Sequence, residues 1–333
     1  MREGLKIPSF IITILAIQLL MMSITINQIK YVLAIHKTGS FSEAAKDCFV
    51  TQSTLSTMVK KLENALEIEL FDRKTKPIEL TPEGKKLIPQ FKVVYNESEN
   101  LTELVQETKK EFTGSLNIGV IPTLAPFLLP LFLDSLIKDF PEIDFSVFEI
   151  TTDKIIERIK LREIDVGILS LPIIEKETKC IPLFQEEFMV YDAREISNKA
   201  KRYRVEDIDI DRLWLLEESH CLTNQIEKIC LLKKKRKVKN NLILKSSSLL
   251  TILNLIQKSN GVTLIPKLAA EQNKEAKKNI FPLESPVPVR EVGLIIHENY
   301  NKKRILDVLK NTIQKSVAPI LGKSKKVKVI NPF

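Results

Sequence analysis

The chain has 333 residues and carries 51 Lys and Arg against 42 Asp and Glu, which gives a formal net charge of +9. This length allows two or three domains, the composition does not suggest disorder, and the positive charge favours polyanionic partners. Four cysteines are too few for a secreted disulfide scaffold, and no Cys or His spacing is typical of a zinc site. We therefore expect no metal, no cofactor and a reducing compartment.

The start of the chain resembles a targeting signal, because basic residues precede an apolar run over residues 7–22. The run is too short for a membrane span of about 20 residues, and no small-residue cleavage site follows it. We expect that the start codon was assigned too early and that translation begins at Met21 or Met22, or that residues 1–22 form an unstructured extension. The expectation is a cytoplasmic protein with no membrane segment, since a DNA-binding pattern follows.

Residues 23–82 are predicted to form three short helices and a wing. Apolar residues recur at helical spacing up to residue 37, and Thr-Gly-Ser then breaks the first helix. Polar caps and apolar spacing predict a second helix over residues 41–47 and a third over about 52–66. A turn and a short strand over residues 71–81 follow as the wing. Two short helices joined by a tight turn form a helix-turn-helix.

The third helix has the chemistry of a major-groove reader. Its first turn offers short polar side chains suited to base edges and phosphate oxygens, and basic residues follow on its later turns and in the wing. The candidate DNA-binding residues are Gln52, Ser53, Thr54, Ser56, Lys60, Arg73 and Lys74. A polar first turn is also typical of an ordinary capped surface helix, so this pattern alone does not establish DNA binding.

Residues 41–73, FSEAAKDCFVTQSTLSTMVKKLENALEIELFDR, and the following LTPEGKKLI resemble the winged helix-turn-helix of LysR-type transcriptional regulators. The order Ala-Ala, Thr-Gln-x-x-Leu-Ser, Lys-Leu-Glu, Leu-Phe-x-Arg and Thr-x-x-Gly carries the resemblance. It implies double-stranded promoter DNA as a partner, a homodimer that assembles into a homotetramer, and contact with RNA polymerase. It also implies a regulator rather than an enzyme.

Residues 83–113 are predicted to form a long linker helix. No glycine follows Gly84, and apolar residues alternate at four and three positions, which is typical of a two-stranded coiled coil. Ser98 and Thr108 interrupt the pattern, so a helix packed on its own domain fits as well. The family resemblance favours a dimer through this helix, which would hold two reading heads for two half-sites.

Strands and helices alternate through residues 114–318 and predict parallel sheets covered by helices. The predicted strands lie at residues 116–121, 145–150 and 165–169, and the predicted helices at 125–139 and 153–162. By resemblance this is an α/β regulatory domain of two lobes, built like a periplasmic binding protein. Its first lobe spans residues 114–186 plus the chain from Val292, and its second spans 187–290. Residues 319–333 are interpreted as a basic tail.

Residues 215–232, LLEESHCLTNQIEKICLL, place Cys221 and Cys230 nine positions apart. In a helix this spacing puts them on opposite faces and roughly 13 Å apart along the axis. A disulfide needs Cα atoms within about 7 Å, so the pair can join only if the helix unwinds. The spacing fits a redox switch, and it also fits two unrelated buried cysteines on one helix.

The stretch SHCLTNQIEKIC resembles the redox segment of the hydrogen-peroxide-sensing LysR regulators, and IGVIPTLAPFLLP agrees with it. The resemblance implies that peroxide oxidises Cys221, which then forms a disulfide with Cys230 and activates oxidative-stress genes. Candidate residues of the peroxide pocket are Thr123, Thr152, His220, Gln225 and Arg290. Thr223 and Asn224 depart from the pattern, because the best-known members carry Arg and Asp there. Cys48 and Cys180 are interpreted as structural.

Three other functions remain open at this point. A LysR-type regulator can instead respond to a small organic ligand in the cleft between the lobes. A secreted solute-binding protein fits the apolar start but not the helix-turn-helix, and a thiol peroxidase would use Cys221 catalytically. The basic run at residues 233–237 is typical of a nuclear-localisation string and, more commonly, of a solvated helix end.

Overall fold

The computed structural model describes residues 24–108, 113–194, 202–216, 221–230, 248–273, 277–322 and 327–332. The chain divides into two compact units, Met1–Thr102 and Glu103–Phe333. The apolar start, His220 and the basic run at residues 233–237 lie outside the described residues.

The first unit contains the predicted winged helix-turn-helix. Its elements are α1 (Ile26–Thr38), α2 (Phe41–Asp47), α3 (Gln52–Leu66), β1 (Phe71–Asp72) and β2 (Glu79–Leu80). Polar caps start the helices, since the side chains of Thr25, Ser40 and Thr51 each accept a hydrogen bond from a backbone N–H of the first turn. The strands pair antiparallel as the wing. Apolar side chains from all three helices form one buried core.

The linker helix α4 runs over Pro82–Thr108. Its early apolar residues Leu87 and Phe91 pack against the core of the first unit. Further along, Val94, Leu101 and Val105 are exposed large hydrophobic side chains. The predicted helix is confirmed, while its pairing with a second copy remains a prediction.

The second unit is the predicted α/β regulatory domain. Its first half contains β3 (Gly114–Val120), α5 (Ala125–Asp139), β4 (Ile143–Glu149), α6 (Thr152–Lys160), β5 (Val166–Leu171) and β6 (Thr178–Asp192). Then follow α7 (Cys221–Ile229), α8 (Leu249–Ser259), β7 (Val262–Pro266), α9 (Lys267–Gln272), β8 (Ile280–Pro282), β9 (Val287–His297), α10 (Lys303–Leu321) and β10 (Val327–Val329). Three single-turn 3-10 helices lie at Val205–Asp207, Ile210–Arg212 and Lys277–Asn279.

The sheet is mixed, which corrects the expectation of parallel sheets. Strands β4, β3 and β5 are mutually parallel in the order β4-β3-β5, and β10 pairs in parallel with β9. Strand β9 runs antiparallel to β5 and β6, and β7 and β8 run antiparallel to β6. The physical reason is the crossing between lobes: β6 carries the chain out of the first lobe and β9 carries it back, so the two strands must run in opposite directions. Sequence reasoning did not identify either as a long crossing strand.

Strand β6 belongs to both lobes. Its residues up to Glu187 pair with β9, whereas Phe188 and the residues after it pair with β7. The middle of β6 therefore lies at the junction of the two lobes.

Candidate functional site

Cys221 is the first residue of α7, and its side chain is buried. Its Sγ lies 3.1 Å from Oγ1 of Thr152, and either atom can be the donor. Thr152 is the first residue of α6, in the first lobe, and is itself buried. The contact therefore joins the start of one helix to the start of another and fixes the direction of the sulfur.

The pKa of the Cys221 thiol is raised, first because burial penalises the charged thiolate. Asp153 nearby raises the pKa further, while the hydrogen bond with Thr152 and the positive charge of Arg290 lower it. Burial outweighs these favourable groups. At neutral pH the resting state is thus the protonated thiol, which is a poor nucleophile.

Arg290 forms a buried ion pair with Glu186 that crosses from β9 to β6. The two side chains are 1% and 0% exposed, and Nη2 of Arg290 lies 2.7 Å from Oε2 of Glu186. The guanidinium also donates to Oγ1 of Thr123 over 3.3 Å and to its carbonyl oxygen over 3.4 Å. The other carboxylate oxygen of Glu186 accepts the N–H of Leu268 over 2.7 Å. One ion pair therefore fixes the loop after β3 and the start of α9.

Cys230 follows α7, and its N–H still donates to the carbonyl of Ile226 over 2.9 Å. The helical hydrogen bonding thus extends to Cys230, whose side chain is buried. Neither cysteine forms a disulfide in this structure. Nine helical steps separate them by roughly 13 Å along the axis, so this conformation is the unlinked state.

Gln225 lies one turn after Cys221 and is fully buried. Its Nε2 donates to the carbonyl of Ile330 over 2.7 Å, and Nζ of Lys228 donates to the carbonyl of Asn331 over 3.1 Å. The amide nitrogen of Gln225 thus contacts the end of the chain, and its place in a peroxide pocket stays a prediction. No sequence signal pointed to this contact.

The two residues of the redox segment that differ from the family pattern, Thr223 and Asn224, are accommodated within the fold. Thr223 is buried, and its hydroxyl donates to the carbonyl of Leu216 over 3.1 Å. Asn224 is half-buried. Thr223 therefore contributes a neutral hydrogen bond within the fold.

The structure brings some predicted pocket residues together and not others. Thr152 contacts Cys221, and Thr123 contacts Arg290, whereas Gln225 contacts the chain terminus. Sequence reasoning missed Glu186, because β6 also contains the acidic residues Glu187 and Asp192 and nothing in the sequence distinguishes Glu186 from them. It also missed Ser170 in β5, whose hydroxyl is buried and has no hydrogen-bond partner among the described residues.

In the first unit the candidate DNA-binding residues lie mostly on the surface. Gln52, Ser53, Thr54, Lys60 and Lys74 are exposed, and Ser56 is half-buried. Phe49, in the turn before α3, is 94% exposed and has a positive φ of 57°. Sequence reasoning did not single out this apolar side chain at the start of the reading helix.

Arg73 has a role inside the fold that sequence reasoning did not predict. Its Nη2 lies 2.9 Å from Oε2 of the buried Glu63, and its guanidinium carbon lies 5.1 Å from the ring centroid of Phe41. The other oxygen of Glu63 accepts the N–H of Leu70 over 2.9 Å. Arg73 thereby attaches the wing to α2 and α3.

Within the described ranges, no group of His, Cys, Asp and Glu side chains could hold a metal ion. A search of the same residues finds no helix with the length and apolar character needed to cross a membrane.

Two family models match the chain, one in each unit. Residues 26–85 match the "Bacterial regulatory helix-turn-helix protein, lysR family", and residues 109–317 match the "LysR substrate binding domain". The regulator EstR of Acinetobacter baylyi is 30% identical over 89% of this chain and 98% of its own length. The dual regulator OxyR of Escherichia coli is 28% identical over 81% of this chain and 88% of its own length.

Solved structures of peroxide regulators have the same fold. A full-length OxyR variant from Pseudomonas aeruginosa superposes with a TM-score of 0.73 at 27% identity, covering 91% of this chain and 99% of that one. OxyR from Porphyromonas gingivalis superposes with a TM-score of 0.59 at 28% identity, covering 66% of this chain and all of that one, 100%.

Proposed function

Because this chain belongs to the LysR family of bacterial transcriptional regulators, we propose that it senses hydrogen peroxide through Cys221 and Cys230 and regulates oxidative-stress genes. The observation that carries the proposal is the placement of Cys221. Its sulfur contacts a hydroxyl at a helix start, and a second buried thiol lies nine positions further along the same helix.

The chemistry needs only the two thiols and peroxide. The thiolate of Cys221 attacks one peroxide oxygen, the O–O bond breaks, and the other oxygen leaves as hydroxide and takes a proton to become water. The sulfur of Cys230 then attacks the sulfenic sulfur of Cys221, the S–O bond breaks, and a second water leaves. Two electrons pass from the thiols to the peroxide.

The disulfide acts by changing which conformation is stable. Since Cys221 and Cys230 cannot meet across an intact helix, oxidation stabilises only states in which α7 has unwound. Unwinding changes the packing of α7 against the lobes, and this local change alters the arrangement of subunits and of their reading heads. Formation of the disulfide thereby changes how the protein binds DNA.

The partners follow from family membership and surface chemistry. The exposed polar first turn of α3 reads base edges, while Lys60 and Lys74 contact phosphates. The exposed apolar residues of α4 pair with a second copy, and dimers assemble into a homotetramer that contacts RNA polymerase at a promoter. The protein acts in the cytoplasm, where the promoter DNA is.

Peptide mapping without reduction tests the sensing step. After graded hydrogen peroxide, we expect a peptide that links Cys221 to Cys230, together with promoter activation. The variant Cys221→Ser should lose both responses, and Cys180→Ser is the matched control that should retain both. Activation by peroxide while Cys221 and Cys230 remain unlinked would show that the two-cysteine switch is wrong.

A small ligand in the cleft between the lobes is the second candidate signal. It is favoured by the buried hydroxyl of Ser170, which has no hydrogen-bond partner in the described part of the chain and lies near the carboxyl end of β5, where ligands bind in α/β folds. The double variant Cys221→Ser with Cys230→Ser separates the two functions. Promoter activation by a metabolite in that variant, with no response to peroxide in the parent protein, would favour the ligand.

A further inference from the structure

The last described residues of the chain form an ordered contact with the redox helix. Residues 327–332, here called the C-terminal segment, lie beyond residue 317, where the match to the family model ends. Strand β10 within this segment pairs in parallel with the start of β9, in the register Val327 with Val287 and Val329 with Val289. Ile330 and Pro332 are buried.

Ile330 connects two elements through its backbone. Its N–H donates to the carbonyl of Val289 in β9 over 2.8 Å, and its carbonyl accepts the amide of Gln225 in α7 over 2.7 Å. The residue after Val289 is Arg290, which holds Thr123 and Glu186. The C-terminal segment therefore joins the strand that carries Arg290 to the helix that carries Cys221.

The contacts from α7 all come from one face of the helix. Cys221, Gln225 and Lys228 occupy positions i, i+4 and i+7, which lie in one row along a helix. Gln225 and Lys228 reach two successive carbonyls of the C-terminal segment, those of Ile330 and Asn331. Both contacts require α7 to be helical, because only the helix aligns the two side chains.

We propose that α7 and the start of β9 form a binding site for the chain's own C-terminal segment, and that this segment stabilises the helical, unlinked form of α7. The effect on sensing rests on the function proposed above, because oxidation must unwind the helix that the segment holds. A segment that binds only the helical form shifts the equilibrium toward that form by its binding free energy. Removing it therefore favours opening of α7.

Thiol labelling of the reduced protein, without peroxide, tests the binding site directly. The test variants are a chain that ends at Gly322 and the full chain with Ile330→Asp, which places a charge in a buried position. Alkylation of Cys221 and Cys230 should become about tenfold faster in both, the change that corresponds to a loss of about 1.4 kcal/mol in the stability of the closed form. A synthetic peptide of residues 327–333 should restore slow labelling to the shortened chain.

Two controls make the result specific. Lys328→Glu alters an exposed side chain of the same segment and should leave the labelling rate unchanged. Cys180 is half-buried in β6, serves as an internal reference, and should label at one rate in all variants. Unchanged labelling of Cys221 and Cys230 in both test variants, or an equal rise at Cys180, would overturn the proposal. Since no peroxide is used, failure here is distinct from failure of Cys221 and Cys230 to form a disulfide.

Discussion

Replacing Arg290 with methionine should strongly destabilise the regulatory unit. Glu186 would keep its carboxylate at a position that is 0% exposed, with no cation beside it. Removing one partner of a buried ion pair costs about 3–5 kcal/mol, because the remaining charge is neither solvated nor paired. The hydrogen bond from Leu268 to Glu186 remains and does not neutralise that charge. We expect a loss in the free energy of unfolding within that range.

The chain supplies its own assay and a control of matched geometry. Its single tryptophan, Trp214, lies in the regulatory unit, where its backbone N–H donates to the carbonyl of Val262, so its fluorescence during urea unfolding reports on this unit. Lys138 and Asp134 form an ion pair at the same 2.7 Å separation, but with side chains 72% and 80% exposed. Lys138→Met should therefore cost less than about 1 kcal/mol.

A second variant separates the ion pair from packing. Adding Glu186→Gln to Arg290→Met removes the buried charge and should restore most of the lost stability, because a neutral amide costs less to bury than an unpaired carboxylate. Equal losses for Arg290→Met and Lys138→Met would refute the reasoning. So would a double variant that is no more stable than Arg290→Met alone.

Other predictions concern the reading head and the thiol. Arg73→Ala should destabilise the reading head by about 1–3 kcal/mol, because the buried carboxylate of Glu63 would lose its ion-pair partner. Faster amide exchange in α3 would reveal the loss of stability, and unchanged exchange would contradict it. Lys74→Gln should lower the slope of promoter affinity against salt concentration by about one ion, because one phosphate contact is lost. Phe49→Ala should weaken promoter binding without changing that slope, because it removes an apolar contact with the bases. Equal slopes for both variants would contradict this assignment. Since burial raises the pKa of Cys221, its oxidation by peroxide should continue to accelerate as the pH rises above the pKa of an ordinary free thiol. Thr152→Val removes a hydrogen bond that lowers this pKa, so the variant should be oxidised more slowly at neutral pH. A rate that levels off below that range in stopped-flow measurements would contradict the pKa shift.

Local patterns in the sequence predict the helices of the DNA-reading unit but not the contacts around Cys221 and Arg290. The caps Ser40 and Thr51 act within their own helices, so spacing and residue type predict α2 and α3 closely. The pair Arg290 and Glu186 is separated by 104 positions, and no local pattern connects its members. Family resemblance predicts that Thr152 and Cys221 share a pocket, but it does not predict the contact between them. The mixed sheet was missed for the same reason, because strand direction depends on how the chain crosses between lobes.

The buried, protonated state of Cys221 and the proposed stabilisation of α7 by the C-terminal segment act in the same direction, because both oppose oxidation. Burial of Cys221 keeps its sulfur as the thiol, which reacts slowly with peroxide. Tight packing of α7 also keeps Cys230 from reaching it. Loosening the helix would expose Cys221 to water, lower its pKa toward that of a free thiol, and shorten the path for Cys230 at the same time. In the proposed switch, the peroxide concentration needed for oxidation therefore depends on the stability of α7 against its neighbours, and a chain that ends at Gly322 should form the disulfide at lower peroxide than the full chain.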